Sequence, residues 1–206
     1  MSTIITFSGL DGSGKSTMIS MIGKELKLQG YNTSEIWYKF GELYYFKFLS
    51  KLFTSSKSKL AVKRDNPFRY KNKIVEKIAL LIYLLDQWIF TILKLREIHK
   101  HNTFLLCDRY VADTYVDLQL NFNLSSKSSR RIIKILRAPK PTHNFYLKIS
   151  PDLSMRRKTD FYSIYYLRAR EKIYENLISR STDWIILDSM NSKSKLLKLV
   201  KNTLKL

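Results

Sequence analysis

The sequence predicts an α/β protein built on a five-stranded parallel sheet. Three observations carry this. Five short β-rich or apolar runs recur along the chain, at residues 3–8, 33–38, 104–107, 144–149 and 184–187. Stretches with helical spacing separate them. The third run, Phe104-Leu105-Leu106-Cys107, is apolar throughout and ends abruptly in Asp108-Arg109, as a strand covered on both faces does at the carboxyl edge of a parallel sheet.

In order, residues 3–8 form a strand that runs straight into glycines. Residues 15–29 place Met18, Ile19, Ile22 and Leu26 on one helical face, and Gly30 stops that helix. Residues 33–38 complete a βαβ unit. Residues 41–53 suit a helix, 55–63 a polar basic loop, and 67–101 a long helical stretch broken at most once. Helices at 111–120 and 126–136 precede a loop bracketed by Pro139 and Pro141. Residues 152–179 are helical with a basic, aromatic middle, and 192–204 make a closing amphipathic helix. There is no internal repeat.

The 206 residues fit one domain spanning 1–206. The longest apolar stretch, 78–95, contains Asp86, Gln87 and Lys94, so it reads as a buried helix and not a membrane span. A lone Cys107 excludes an internal disulfide and fits a reducing compartment. With no secretory signal, the expected location is the cytoplasm. The charge is unusual: 37 Lys plus Arg against 17 Asp plus Glu, a net +20. Such a field attracts polyanions. The cations are spread along the chain, however, and a basic surface that concentrates small anions explains them more simply than a nucleic-acid partner.

The chemistry is concentrated in Gly9-Leu10-Asp11-Gly12-Ser13-Gly14-Lys15-Ser16-Thr17. This is a complete G-x-x-x-x-G-K-[ST] loop, placed after a strand and before a helix. The glycines let backbone N–H groups turn inward on phosphate oxygens, and the helix adds its positive end. Lys15 reaches the β- and γ-phosphates of ATP, and the Ser16 hydroxyl is a ligand for Mg²⁺. The motif predicts a P-loop NTPase. Asp11 is awkward inside an anion cradle: it either braces the loop or points away to an acceptor hydroxyl.

Asp108 and Arg109 should lie at the same sheet edge as this loop. Arg109 offers a planar fork for a phosphate, and Asp108 could hold Arg109 or a water on Mg²⁺. Residues 154–168 form a candidate helical lid, read as a helix–loop–helix around 155–161, in which Arg157 and Lys158 are placed to neutralise a moving phosphoryl group. The plainer reading of those two is a solvated basic face.

Four segments occur in an order that resembles the thymidylate kinases: the loop with its inner Asp11, Cys107-Asp108-Arg109-Tyr110, residues 141–151 and residues 166–174. The resemblance runs from about residue 3 to about residue 190. It implies a nucleoside-monophosphate-kinase fold, transfer of the ATP γ-phosphate to dTMP with Mg²⁺, and a homodimer. It also implies site roles. Asp11 would bind the sugar 3′-hydroxyl and Arg109 the acceptor phosphate. Tyr83 would stack on thymine, and Tyr115 would pack on the deoxyribose. Arg157 and Lys158 would be lid groups, needed because Gly12 or Ser13 stands where one branch of the family has a loop arginine. The chain departs from the family in two places. Trp37-Tyr38-Lys39-Phe40-Gly41-Glu42 replaces an Arg-Glu-Pro-Gly-like segment, and Gln87 falls where an arginine reads the base. A glutamine amide can both donate and accept, which loosens base choice and leaves another acceptor open.

Overall fold

A computed structural model describes residues 2–38, 45, 72–95, 103–158 and 163–206. The expected helix at 41–53, the basic loop at 55–63, the departures at Lys39 and Glu42, and the centre of the candidate lid lie outside the described residues.

Five strands form one parallel sheet in the order β2-β3-β1-β4-β5. They are β1 (Thr3–Gly9), β2 (Thr33–Trp37), β3 (Phe104–Asp108), β4 (His143–Lys148) and β5 (Trp184–Asp188). Among the described residues, seven α-helices flank the sheet: α1 (Lys15–Leu28), α2 (Lys73–Phe90), α3 (Val111–Asn121), α4 (Ser126–Leu136), α5 (Pro151–Arg157), α6 (Ile164–Ile178) and α7 (Lys193–Leu204). A π-helical turn, Thr91–Leu95, continues α2.

The core has two layers because β-strand side chains alternate faces. Ile5 and Phe7 of β1 join Leu106, Phe145 and Leu187 beneath Met18, Ile22 and Leu26 of α1 and Leu196 and Val200 of α7. The Phe7 and Phe145 rings stack at 5.2 Å. On the other face, Ile4, Leu105 and Cys107 meet Phe90 and Tyr110, while Leu10, Val116, Tyr146 and Tyr174 form a neighbouring cluster. Burial pushes the Cys107 thiol up, so it behaves as a small apolar side chain.

Helix starts follow local chemistry. Ser125, Ser150, Ser163 and Ser192 each accept from a backbone N–H three residues on, ahead of α4, α5, α6 and α7. The stretch read as helical over 152–179 is thus two helices, because Lys158 is extended and Ser163 caps a new start. Among the described residues, no helix is long and apolar enough to cross a membrane.

Candidate functional site

The glycine loop leaves the carboxyl end of β1, the middle strand of the sheet. Gly9 has φ +143°, and a Cβ there would stand 2.6 Å from the Leu147 carbonyl oxygen. Gly12 has φ +77°, and its added Cβ would meet Arg157 Cβ and the Ser154 carbonyl oxygen at 3.2 Å. A side chain at Gly9 would clash with backbone, and one at Gly12 would be strained by its positive φ and crowded by α5, so the loop is drawn tightly against β4 and α5. Ser154 donates to the Asp11 carbonyl at 2.6 Å, which fixes α5 to the loop from above.

Lys15 opens α1 and folds back over the loop. Its ammonium donates to the Gly9 and Leu10 carbonyls at 3.1 and 2.8 Å and approaches Ser13 Oγ at 3.5 Å. Burial lowers its pKa to about 8; the nearby Arg109 adds to that, and Asp11 and Asp108 oppose it. Ser16 Oγ donates to Asp108 Oδ2 at 2.5 Å. These two hard oxygens, from different elements and within one hydrogen bond of each other, suit a divalent cation that keeps most of its waters. Among the described residues, no cluster of three or more His, Cys, Asp or Glu could hold a metal alone. Thr17 follows on α1 and is exposed.

The Asp108–Arg109 turn reaches the same place from β3. Phe7 pairs with Asp108 in register, and the Arg109 N–H donates to the Phe7 carbonyl at 3.0 Å. Arg109 has φ +70°, a left-handed conformation that costs about 1–3 kcal/mol in a non-glycine residue and so needs support from its surroundings. Its buried guanidinium pairs with Asp11 through Nη2 and with Asp113 through Nη1, the latter at 3.2 Å. Asp108 is therefore bonded to Ser16, while Arg109 is held by Asp11 and Asp113. Burial is the largest single influence and works against the charge on both Asp11 and Arg109, and the opposite charges around each together outweigh it. The Asp11 carboxyl falls well below the usual range, with Lys15 and Lys158 also lowering it, and Arg109 rises.

Arg157 lies over the loop, with Nη1 3.5 Å from the Gly12 carbonyl and Nη2 3.2 Å from the Ser189 carbonyl. Lys158 closes α5, near enough to act on Asp11. Tyr83 and Gln87 are buried one turn apart on α2; the Tyr83 ring packs edge-on to Phe122 at 6.3 Å. Tyr115, on α3, is buried; burial raises its pKa, and the nearby Ser126, Arg130 and Gln119 side chains outweigh that and lower it. It packs in the same cluster as Leu10 of the glycine loop.

The fold thus brings together Gly9, Asp11, Gly12, Ser13, Gly14, Lys15, Ser16, Asp108, Arg109, Arg157 and Lys158. Sequence reasoning missed Asp113 and Asp117 and gave no role to Arg170 and Tyr174 of the 166–174 segment; all four are buried. Asp117 accepts from Arg170 Nη1 at 2.6 Å. Their i,i+4 spacing on α3 and α6 was the available signal.

The chain is thus an α/β protein with an all-parallel five-stranded sheet and a cluster of glycine backbone, cations and carboxylates at the carboxyl ends of β1 and β3. It matches no family model, and no curated protein matches it either.

Proposed function

We propose that this protein is an ATP-dependent P-loop nucleoside monophosphate kinase of the thymidylate kinase type, converting dTMP to dTDP. One observation supports the reading above all. Asp11, inside the glycine loop, is paired with Arg109 from the neighbouring strand, so a cationic triphosphate cradle and a second phosphate-sized fork adjoin. A P-loop that only bound nucleotide would not need the second fork.

On this reading the loop N–H groups and Lys15 hold the triphosphate of ATP, and Arg109 aligns the acceptor's phosphate. An oxygen of that phosphate attacks the γ-phosphorus. The bond to the oxygen bridging the β- and γ-phosphates breaks, and ADP leaves with that electron pair. Arg157 and Lys158 neutralise charge on the group in transit. Mg²⁺, held by Ser16 and through water by Asp108, would screen the β- and γ-oxygens.

Asp11 would face the acceptor's sugar from its place beside Arg109, and Tyr83 and Gln87 its base. Two further parts of the proposal concern the whole protein. Ile74, Ile78, Leu81, Leu85 and Trp88 of α2 are exposed at alternating steps of four and three, which supports a helix-to-helix homodimer. The buried, inert Cys107 supports a cytoplasmic location.

The test is release of ADP with a panel of monophosphates and unphosphorylated acceptors. Turnover is expected with dTMP and none without an acceptor. Activity confined to a nucleoside or a sugar-like acceptor would move the protein to a related kinase, and no turnover with any acceptor would overturn the reading.

A further inference from the structure

Asp113 stands in the first turn of α3 with no solvent exposure, and its carboxylate takes four donors. Ser8 Oγ and the Tyr110 N–H reach Oδ2 at 2.6 and 3.1 Å. The Tyr174 hydroxyl and Arg109 Nη1 reach Oδ1 at 2.6 and 3.2 Å. Tyr174 comes from α6, 61 residues away in sequence. It is one of three rungs between α3 and α6, the others being Arg170 on Asp117 at 2.6 Å and Tyr166 on Asn121 at 3.3 Å. Both sets recur every four residues, so each lines one face of its helix.

The four donors fill the lone pairs of one carboxylate. An arginine and a carboxylate otherwise prefer two parallel hydrogen bonds. With Oδ1 shared and Oδ2 taken by Ser8 and Tyr110, Arg109 makes a single bond to Asp113, and its other terminal nitrogen goes to Asp11. We propose that Tyr174 is a positioning residue for acceptor recognition: with Oδ2 of Asp113 held by Ser8 and Tyr110, Tyr174 fills the one remaining lone pair of Oδ1, so the second terminal nitrogen of Arg109 finds no acceptor on that carboxylate and the rest of the fork stays at Asp11 for an incoming phosphate. This inference rests on the kinase reading above and adds to it a residue that touches neither nucleotide.

The test uses the full chain and steady-state kinetics with each substrate varied in turn. Tyr174→Phe keeps the ring and loses only the hydroxyl. It is expected to raise the KM for the monophosphate about tenfold and to change the KM for ATP less than about twofold. A purely structural role would move both together. In an Asp113→Asn background the same change is expected to alter the monophosphate KM less than about twofold, because Tyr174 acts through that carboxylate. Ser8→Ala frees a lone pair on Oδ2 without touching α6 and is expected to shift the KM in the same direction. It decides the matter if Tyr174→Phe does not fold. Equal effects on both KM values, no effect, or additivity in the double variant would overturn the inference. A wild-type chain that phosphorylates no monophosphate would instead overturn the kinase reading.

Discussion

Lys15 loses its proton near pH 8 in the folded protein, against an ordinary value of 10.5, chiefly because it is buried. Its folded-state pKa is depressed, so between those values the unfolded chain binds more protons than the folded one. Lys15 therefore costs stability below about pH 8, and that cost is relieved as pH rises toward 10.5. Binding of a triphosphate would favour the charged ammonium. Titration calorimetry in buffers of different ionisation heat should then show proton uptake on ATP binding at pH ~9 and almost none at pH ~7. Equal uptake at both would mean that Lys15 does not meet the phosphates. The glycine loop was legible residue by residue, since its chemistry lies in nine consecutive positions. Asp113 and Tyr174 were not, because a tyrosine's partner across 61 residues depends on how two helices pack.

At the scale of elements, α2 exposes a row of large apolar side chains. Ala79, Tyr83, Gln87 and Phe90 face inward, while Ile74, Ile78, Leu81, Leu85 and Trp88 face out. A solvent-facing apolar seam of this length is uncommon on a monomer. Leu81→Glu with Leu85→Glu places like charges along the seam and should shift the mass in light scattering from dimer to monomer, with the circular dichroism unchanged. A wild-type chain that is monomeric throughout would remove the proposed dimer. The five strands and their neighbours were readable because apolar runs ending in charge have few alternatives. A helix–loop–helix was readable around residues 155–161, but not that the break falls where Lys158 is extended and Ser163 caps the next helix.

For the whole molecule, the net +20 is a cost to compactness as well as a lure for anions. The acids that are buried do local work at the glycine loop and the α3–α6 rungs, and the full chain sets 17 Asp plus Glu against 37 Lys plus Arg. Salt should therefore stabilise the protein. The unfolding midpoint is expected to rise by about 2–5 °C between ~10 and ~150 mM sodium chloride, measured by scanning calorimetry at constant pH. No change or a fall would show that ion pairing across the surface already balances the repulsion. Composition made the excess charge plain, whereas its distribution around the site needed the fold.

The hydrogen bond from the Arg109 backbone to Phe7 also fixes a length. The glycine loop and the arginine turn leave adjacent strands, whose separation is about 4.8 Å in any sheet. That interval is a gauge set by main-chain atoms, and it is in place before any ligand arrives. Replacing Asp11 or Arg109 retunes the charge at either end of the gauge, but its span belongs to the sheet.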